Sequence, residues 1–255
     1  MAKATLIKRS KVKNATLVTN QLNQYIQKQL DGRIHKKGSG KIKPSSLGKC
    51  YRAQFLGMID MTPSNPIGVG TMKVFILGTL VHEYLQNLYP AIQREVEIST
   101  DDIHAFVDLV VEDQIIEIKS VGSWACKYIK QKKDETWLQW QKRVAMDKSE
   151  NVMQAVYYAK ALDRERARLV FVSKDNFEMW EICLLVSDYE EQLEKELEVM
   201  RGYRKSKELP PAKPRCYNGK ECSYCGFKDY CKHMEGGETN GTVTVREKSE
   251  EHKPF

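Results

Sequence analysis

The spacing of apolar positions changes period along this chain. From Thr19 to Leu30, "TNQLNQYIQKQL" sets Leu22, Tyr25, Ile26 and Leu30 at helical spacing. "GRIHKKGSGKIKP" interrupts that pattern. "PSSLGKCYRAQFLGMI" then reads as a helix opened by Pro44, capped by Ser45 or Ser46, and carrying Leu47, Tyr51 and Phe55. A Pro/Gly/Asn loop covers 62–70, and "TMKVFILGTLVHEYLQNLY" (71–89) predicts a well-buried helix. After Ile92 the period shortens. "AIQREVEIS" ends in strand-like alternation, and "HAFVDLVV" and "IIEIKSV" are β-rich runs joined by "EDQ" at 112–114, the signature of a hairpin. "SENVMQAVYYAKAL" (149–162) predicts a helix capped by Ser149, and "ARLVFVSK" and "FEMWEICLL" two more strands. "SDYEEQLEKELEVMRGYRKS" (187–206) predicts a long amphipathic helix opened by Ser187 or Asp188, and "LPPAKP" ends it. Helices, a three-strand meander, a helix, two strands and a helix predict an α/β or α+β core with a small mixed sheet flanked by helices.

The hairpin carries the chemistry. Side chains alternate faces along a strand, so Glu117 and Lys119 share one face while Ile116 and Ile118 take the other. Asp108, on the preceding strand, reaches the same face. Two carboxylates and a lysine converging on apolar strands need compensation for burial, and a divalent cation held by Asp108 and Glu117 supplies it. Hard carboxylate oxygens suit Mg²⁺ or Mn²⁺, and Lys119 is placed to orient a water or stabilise an oxyanion. The alternative from spacing alone is a surface hairpin with a weak exposed Glu–Lys pair.

Composition narrows the classes. With 255 residues, 41% hydrophobic and 29% charged, the chain can bury a core. Its longest apolar run, Val74 to Val81, is too short to span a bilayer. The opening "MAKATLIKRSKVK" lacks the apolar core of a secretory signal; it reads as a basic nucleic-acid arm or, less simply, a transit peptide. Residues 1–43 hold eleven Lys or Arg and one acid, Asp31, which suits a polyanionic partner, within a net charge of +7. Residues 234–255 read as a disordered polar tail, leaving 44–233 as the folded domain.

Two neighbouring motifs extend the hairpin. "GTLVHEYLQ" sets His82 four residues after Gly78, and "QAVYY" sets Gln154 and Tyr158 one helical turn apart. The ordered set GxxxH, Asp, ExK, QxxxY resembles the RecB-type branch of the PD-(D/E)XK nucleases, over about Pro44 to Cys231. The resemblance implies a PD-(D/E)XK restriction-endonuclease-like core. It implies a Mg²⁺ or Mn²⁺ site on His82, Asp108, Glu117 and the carbonyl of Ile118, a catalytic Lys119, and a positioning role for Gln154 and Tyr158. The activity implied is metal-dependent DNA exonuclease cleavage of single-stranded or frayed ends, in recombination, repair, CRISPR adaptation or viral genome processing. A non-cutting DNA-binding subunit and a zinc-stabilised RNA-processing nuclease are the rival classes. No GxxxxGK[ST] motif is present, so unwinding would need a helicase or other recombination or adaptation partner. The setting expected is cytoplasmic, or the host-cell cytoplasm for a viral protein, with no membrane association.

Between Lys119 and Gln154 lies "WACKYIKQKKDETWLQWQKRVAMDK" (124–148), with seven Lys or Arg against three acids. Lys127, Lys130, Lys132 and Lys133 interleaved with Trp124 and Trp137 suit single-stranded DNA, cations meeting phosphates and rings meeting bases. The alternative is an amphipathic insertion whose Trp residues pack on the domain.

Seven cysteines complete the inventory: Cys50, Cys126, Cys183, Cys216, Cys222, Cys225 and Cys231. "CSYCGFKDYC" has C-x2-C-x5-C spacing, one thiolate short of a closed site. Cys216 would complete a local zinc knuckle and Cys50 a long-range site; four cysteines also hold iron–sulfur clusters. One cysteine before the nuclease motifs and C-x2-C-x5-C after them resembles the iron–sulfur members of the same branch. That resemblance implies a [4Fe–4S] cluster on Cys50, Cys222, Cys225 and Cys231, with Cys216 spare. Cys126 and Cys183 are expected to be unliganded, Cys183 in a strand core.

Overall fold

A computed structural model describes residues 17–34, 39–88, 93–215 and 217–235. Eight α-helices and five strands are found among them: α1 (Leu17–Ile34), α2 (Tyr51–Met58), α3 (Val69–Asn87), β1 (Gln93–Ser99), β2 (His104–Val111), β3 (Gln114–Val121), α4 (Ser123–Ile129), α5 (Trp137–Asp147), α6 (Ser149–Ala161), β4 (Arg166–Ser173), β5 (Met179–Leu185), α7 (Glu190–Ser206) and α8 (Lys228–Glu235). The strands form one mixed sheet in the order β1-β2-β3-β4-β5. β1, β2 and β3 are an antiparallel meander, as the hairpin signal predicts. β3 and β4 run parallel, with Glu117 opposite Leu169 and Lys119 opposite Phe171, and β5 returns antiparallel. A parallel pair requires a crossover, here α4, α5 and α6. The α/β expectation, a small mixed sheet flanked by helices, is met.

The two faces of the sheet are covered unequally. On one, Val107, Ile115, Leu169 and Phe171 pack against α6 residues such as Val152, Ala155 and Val156, and the cluster extends to α2, α5 and α7. On the other, α3 lays Val81 and Leu85 over Leu109, Ile118, Val170 and Val172. One helix does not cover five strands. The 71–89 stretch is therefore not well buried: Leu77, Leu80 and Tyr84 lie along an exposed flank of α3, followed by exposed Leu88 just past its end, and Tyr84 packs edge-on to the exposed Phe177. Cys183 is also corrected. It is exposed on β5, an edge strand, where the pleat turns it to the less covered face.

Three helix starts differ from expectation. Pro44–Ser46 is an isolated 3₁₀ turn, and Gly48, in the left-handed region at φ 77°, breaks the chain before α2 begins at Tyr51. Lys148 rather than Ser149 precedes α6, without a side-chain cap. A 3₁₀ turn occupies Val186–Asp188, so α7 starts at Glu190. In contrast α5 carries a full capping box between Thr136 and Gln139. α1 rests on the first half of α3 through Ile26, Leu30 and Met72. No helix among the described residues is long and apolar enough to cross a membrane.

Candidate active site

β2 and β3 pair only as far as Leu109 opposite Ile116. Beyond that point the strands part, and the Asp108 carboxylate occupies the fork: Oδ2 accepts the backbone N–H of Ile118 at 2.7 Å. A side chain has replaced a ladder carbonyl, which fixes the carboxylate against the rigid middle of β3. His82 reaches the same fork from α3, its Nδ1 3.4 Å from Asp108 Oδ1. Gly78 makes this approach possible. A β-carbon there would sit 3.0 Å from Ser120 Oγ, so a larger residue would hold α3 off the end of β3.

Glu117 and Lys119 project to the opposite, α6-covered face. Lys119 Nζ donates to Glu117 Oε1 at 2.7 Å and to Gln154 Oε1 at 2.8 Å. Gln154 Nε2 donates to Glu117 Oε1 at 2.8 Å and to the Tyr158 hydroxyl at 3.0 Å. Two bonded groups result, His82 with Asp108 and Glu117 with Lys119, Gln154 and Tyr158, and they are neighbours through the middle of β3, where the charges of Asp108 and His82 act on Glu117.

Electrostatically the site is under tension. Glu117 is 3% exposed. Burial pushes its carboxyl up to about 7, opposed by Lys119 and reinforced by the like charge of Asp108. Its Oε2 is buried with no hydrogen-bond partner. Burial likewise pushes the Tyr158 hydroxyl well above its ordinary range, so it stays neutral. An orphaned carboxylate oxygen beside a second carboxylate and an imidazole is a donor set that a hard divalent cation fits. Among the described residues, however, no group of three or more His, Cys, Asp or Glu side chains is already gathered into metal-holding geometry.

The other chemistry-bearing region is at the chain's far end. Cys50 is buried, Cys225 and Cys231 are half-buried and Cys222 is exposed. Burial raises the Cys225 thiol above its ordinary range, and Cys231, Cys50 and Cys222 raise it further. A thiol held above its ordinary range stays protonated, and among the described residues these sulfurs are not gathered into metal-holding geometry. Cys216 lies outside the described residues. Cys126 is buried, with its Sγ 3.4 Å from the Gly122 carbonyl.

Polar bonds already join this region to the start of the domain. Glu221 Oε1 accepts the Cys50 N–H at 2.8 Å and its Oε2 accepts Arg215 N–H at 2.9 Å. Arg215 pairs with the buried Glu196, donates to the Lys49 carbonyl and stacks on Tyr51. Asn65 exchanges two bonds with Asp229, at 2.6 and 3.0 Å, and its N–H reaches the Gly226 carbonyl. Reading the sequence for metal ligands missed Glu221 and Arg215. The one available signal was an acid directly before the first cysteine of the C-x2-C pair.

The 124–148 insertion is two helices. Trp124 and Trp137 are 68% and 57% exposed, whereas Trp140 is buried with its indole N–H on the Ile129 carbonyl. Trp124 packs at a tilt of 60° against exposed Tyr128. Lys127, Lys132 and Lys133 are exposed, while Lys130 pairs with Glu178 and lies over Trp180.

No family model matches the chain, and no curated protein matches it by sequence. Several solved structures are similar to it. A protein designated SSO0001 is 19% identical, over 82% of this chain and 92% of that one, with a TM-score of 0.46. An alkaline exonuclease, LHK-Exo, from Laribacter hongkongensis is 13% identical, over 71% and 93%, with a TM-score of 0.46. A phage related exonuclease from Haemophilus somnus 129PT is 12% identical, over 64% and 93%, with a TM-score of 0.47. At such values these likenesses decide nothing about activity, which has to be argued from the residues themselves.

Proposed function

We propose that this protein is a Mg²⁺- or Mn²⁺-dependent DNA exonuclease of the RecB-like PD-(D/E)XK type, acting on single-stranded or frayed ends. The observation that carries the proposal is Glu117: a buried carboxylate with one oxygen left without a partner, beside Asp108 and His82. His82, Asp108, Glu117 and the Ile118 carbonyl are the residues that would hold the ion. When bound, it supplies charge neutralisation at the phosphoryl group and a water of lowered pKa. The remaining work belongs to this chain. Glu117 and Gln154 hold the Lys119 ammonium at a fixed point, where it orients the attacking water and stabilises charge on the phosphate oxygens. Tyr158, kept neutral by burial, fixes the Gln154 amide. Trp124 and Trp137, with Lys127, Lys132 and Lys133, offer rings and cations to an unpaired strand; Lys130, committed to Glu178, serves mainly to hold the insertion.

The same proposal assigns a [4Fe–4S] cluster to Cys50, Cys222, Cys225 and Cys231, as a structural staple. A helicase or recombination partner would deliver ends, and the setting is cytoplasmic. Digestion of linear and circular single strands with Mn²⁺ tests the activity: wild type cuts linear strands and Lys119→Ala does not. Equal cutting by the two overturns the assignment. A brown protein with broad visible absorbance, bleached by Cys50→Ala but not by Cys216→Ala, supports the cluster; a colourless zinc protein refutes it.

A further inference from the structure

Asp108 enters the fork because β2 is irregular there. Ala105 and Val107 pack in the α6-side core, but Leu109 packs under α3. Residues two apart in a regular strand share a face, so the strand switches faces at Asp108. β1 is irregular at the facing position. Its register with β2 holds on both sides, Arg94 opposite Leu109 and Val96 opposite Val107, while Glu95 between them sits in the left-handed region at φ 49°. That conformation is uncommon for a residue with a side chain. Both strands deviate at facing residues, so the pairing register survives.

One side chain bridges the two irregularities. Gln86, buried on α3 one turn beyond His82, donates Nε2 to Glu95 Oε1 at 2.7 Å and to the Asp108 carbonyl at 3.4 Å. Arg94 Nη1 in turn donates to the Gln86 carbonyl at 3.4 Å. We propose that Gln86 and Glu95 are positioning residues. Together they pin the paired irregularity of β1 and β2 and so set the Asp108 carboxylate for the divalent ion. Neither belongs to the donor set. They act on it as outer partners act on metal ligands, by fixing orientation. Since His82 and Gln86 lie one turn apart on α3, the helix that brings the imidazole also sets the carboxylate.

This inference rests on the metal-dependent reading of the site, and titration of the full-length protein with Mn²⁺ alone, followed by calorimetry, separates the two. Wild type is expected to bind. Gln86→Met, similar in size but lacking the donor, is expected to bind about tenfold more weakly, with DNA affinity in EDTA unchanged. Glu95→Gln keeps an acceptor for Gln86 and is expected to retain near wild-type Mn²⁺ affinity. Should Gln86→Met not fold, Glu95→Gly tests the same bracket: glycine tolerates the backbone conformation and removes the side chain that Gln86 holds, and Mn²⁺ binding should again weaken several-fold. Wild-type binding with undiminished binding by Gln86→Met or by Glu95→Gly overturns the bracket alone; a wild type that binds no Mn²⁺ overturns both readings.

Discussion

The fork at Asp108 and the cysteine region at Cys50 both gather groups suited to a metal, but they are built in opposite ways. In the fork, two strands and two helices bring charged side chains inward, and one oxygen of the buried Glu117 is left without a hydrogen-bond partner. In the cysteine region, turns and loops bring thiols to a partly open surface. Closure there is carried by non-thiol groups: Glu221, Arg215, Asn65 and Asp229. The difference separates two tasks. The fork holds an unfavourable arrangement: a buried, half-satisfied carboxylate beside a second carboxylate, which an ion would have to draw together with His82 before it is held. The cysteine region is closed by ordinary hydrogen bonds and an ion pair, so its closure stands without any bound centre.

Glu117→Gln should expose this contrast most sharply. Cutting should fall by about 10³-fold or more, on the order of what loss of a charge-stabilising group costs. Stability without metal should move the other way. A carboxyl whose native pKa stands at about 7 against an ordinary 4.5 holds its proton more tightly when folded. The wild type therefore loses stability as pH rises from about 4.5 to 7, and above that the full cost, about 3 kcal/mol, persists. Thermal melts in EDTA from pH 5 to 8 should show the wild type falling and the variant flat. Parallel curves would mean that Glu117 is not strained.

Arg215→Ala should act only on the closure. It leaves Glu196, 4% exposed, a buried carboxylate without its cation and held by the Tyr51 hydroxyl, at a cost of about 3 kcal/mol. Urea unfolding measures it, and the Mn²⁺ affinity of the folded fraction should not change. Gly48→Ala is smaller. A β-carbon at φ 77° would meet Glu150 Cα at 3.0 Å, so a loss of about 1–2 kcal/mol is expected, with cutting reduced because Gln154 lies one turn further along α6. Trp124→Ala should be the mildest: stability unchanged, and single-strand affinity in EDTA lowered about fivefold, the loss of one base stack. Fluorescence anisotropy reads it, and an equal loss for blunt duplex would refute stacking.

Period-two alternation was enough to predict the shared face of Glu117 and Lys119, because strand geometry leaves no other option. The helical spacing of Gln154 and Tyr158 was legible for the same reason. What escaped depends on packing between distant elements. The exposure of α3 and of Cys183 follows from a sheet wider than the helix that covers it. The late start of α2 follows from the left-handed turn at Gly48, hidden behind a plausible Pro-Ser start. The Gln86–Glu95 bridge was invisible because Glu95 adopts a glycine-like conformation without being glycine. Glu221 was passed over because its partner is a backbone N–H, a group every residue but proline possesses.

The bond from Glu221 to the Cys50 N–H spans 171 positions, and this gives the protein an order of assembly. The residues of the fork, His82 to Tyr158, lie wholly inside that span. Contacts between near segments form sooner than those closing a long loop, so the fork should organise before the ends meet. During synthesis, Cys50 would wait for more than half of the chain to emerge. Pulsed proteolysis during refolding would reveal the sequence of events, with cleavage after 210 persisting once the sheet is protected. Joining Cys50 to Glu221 is then the last step of the domain's closure.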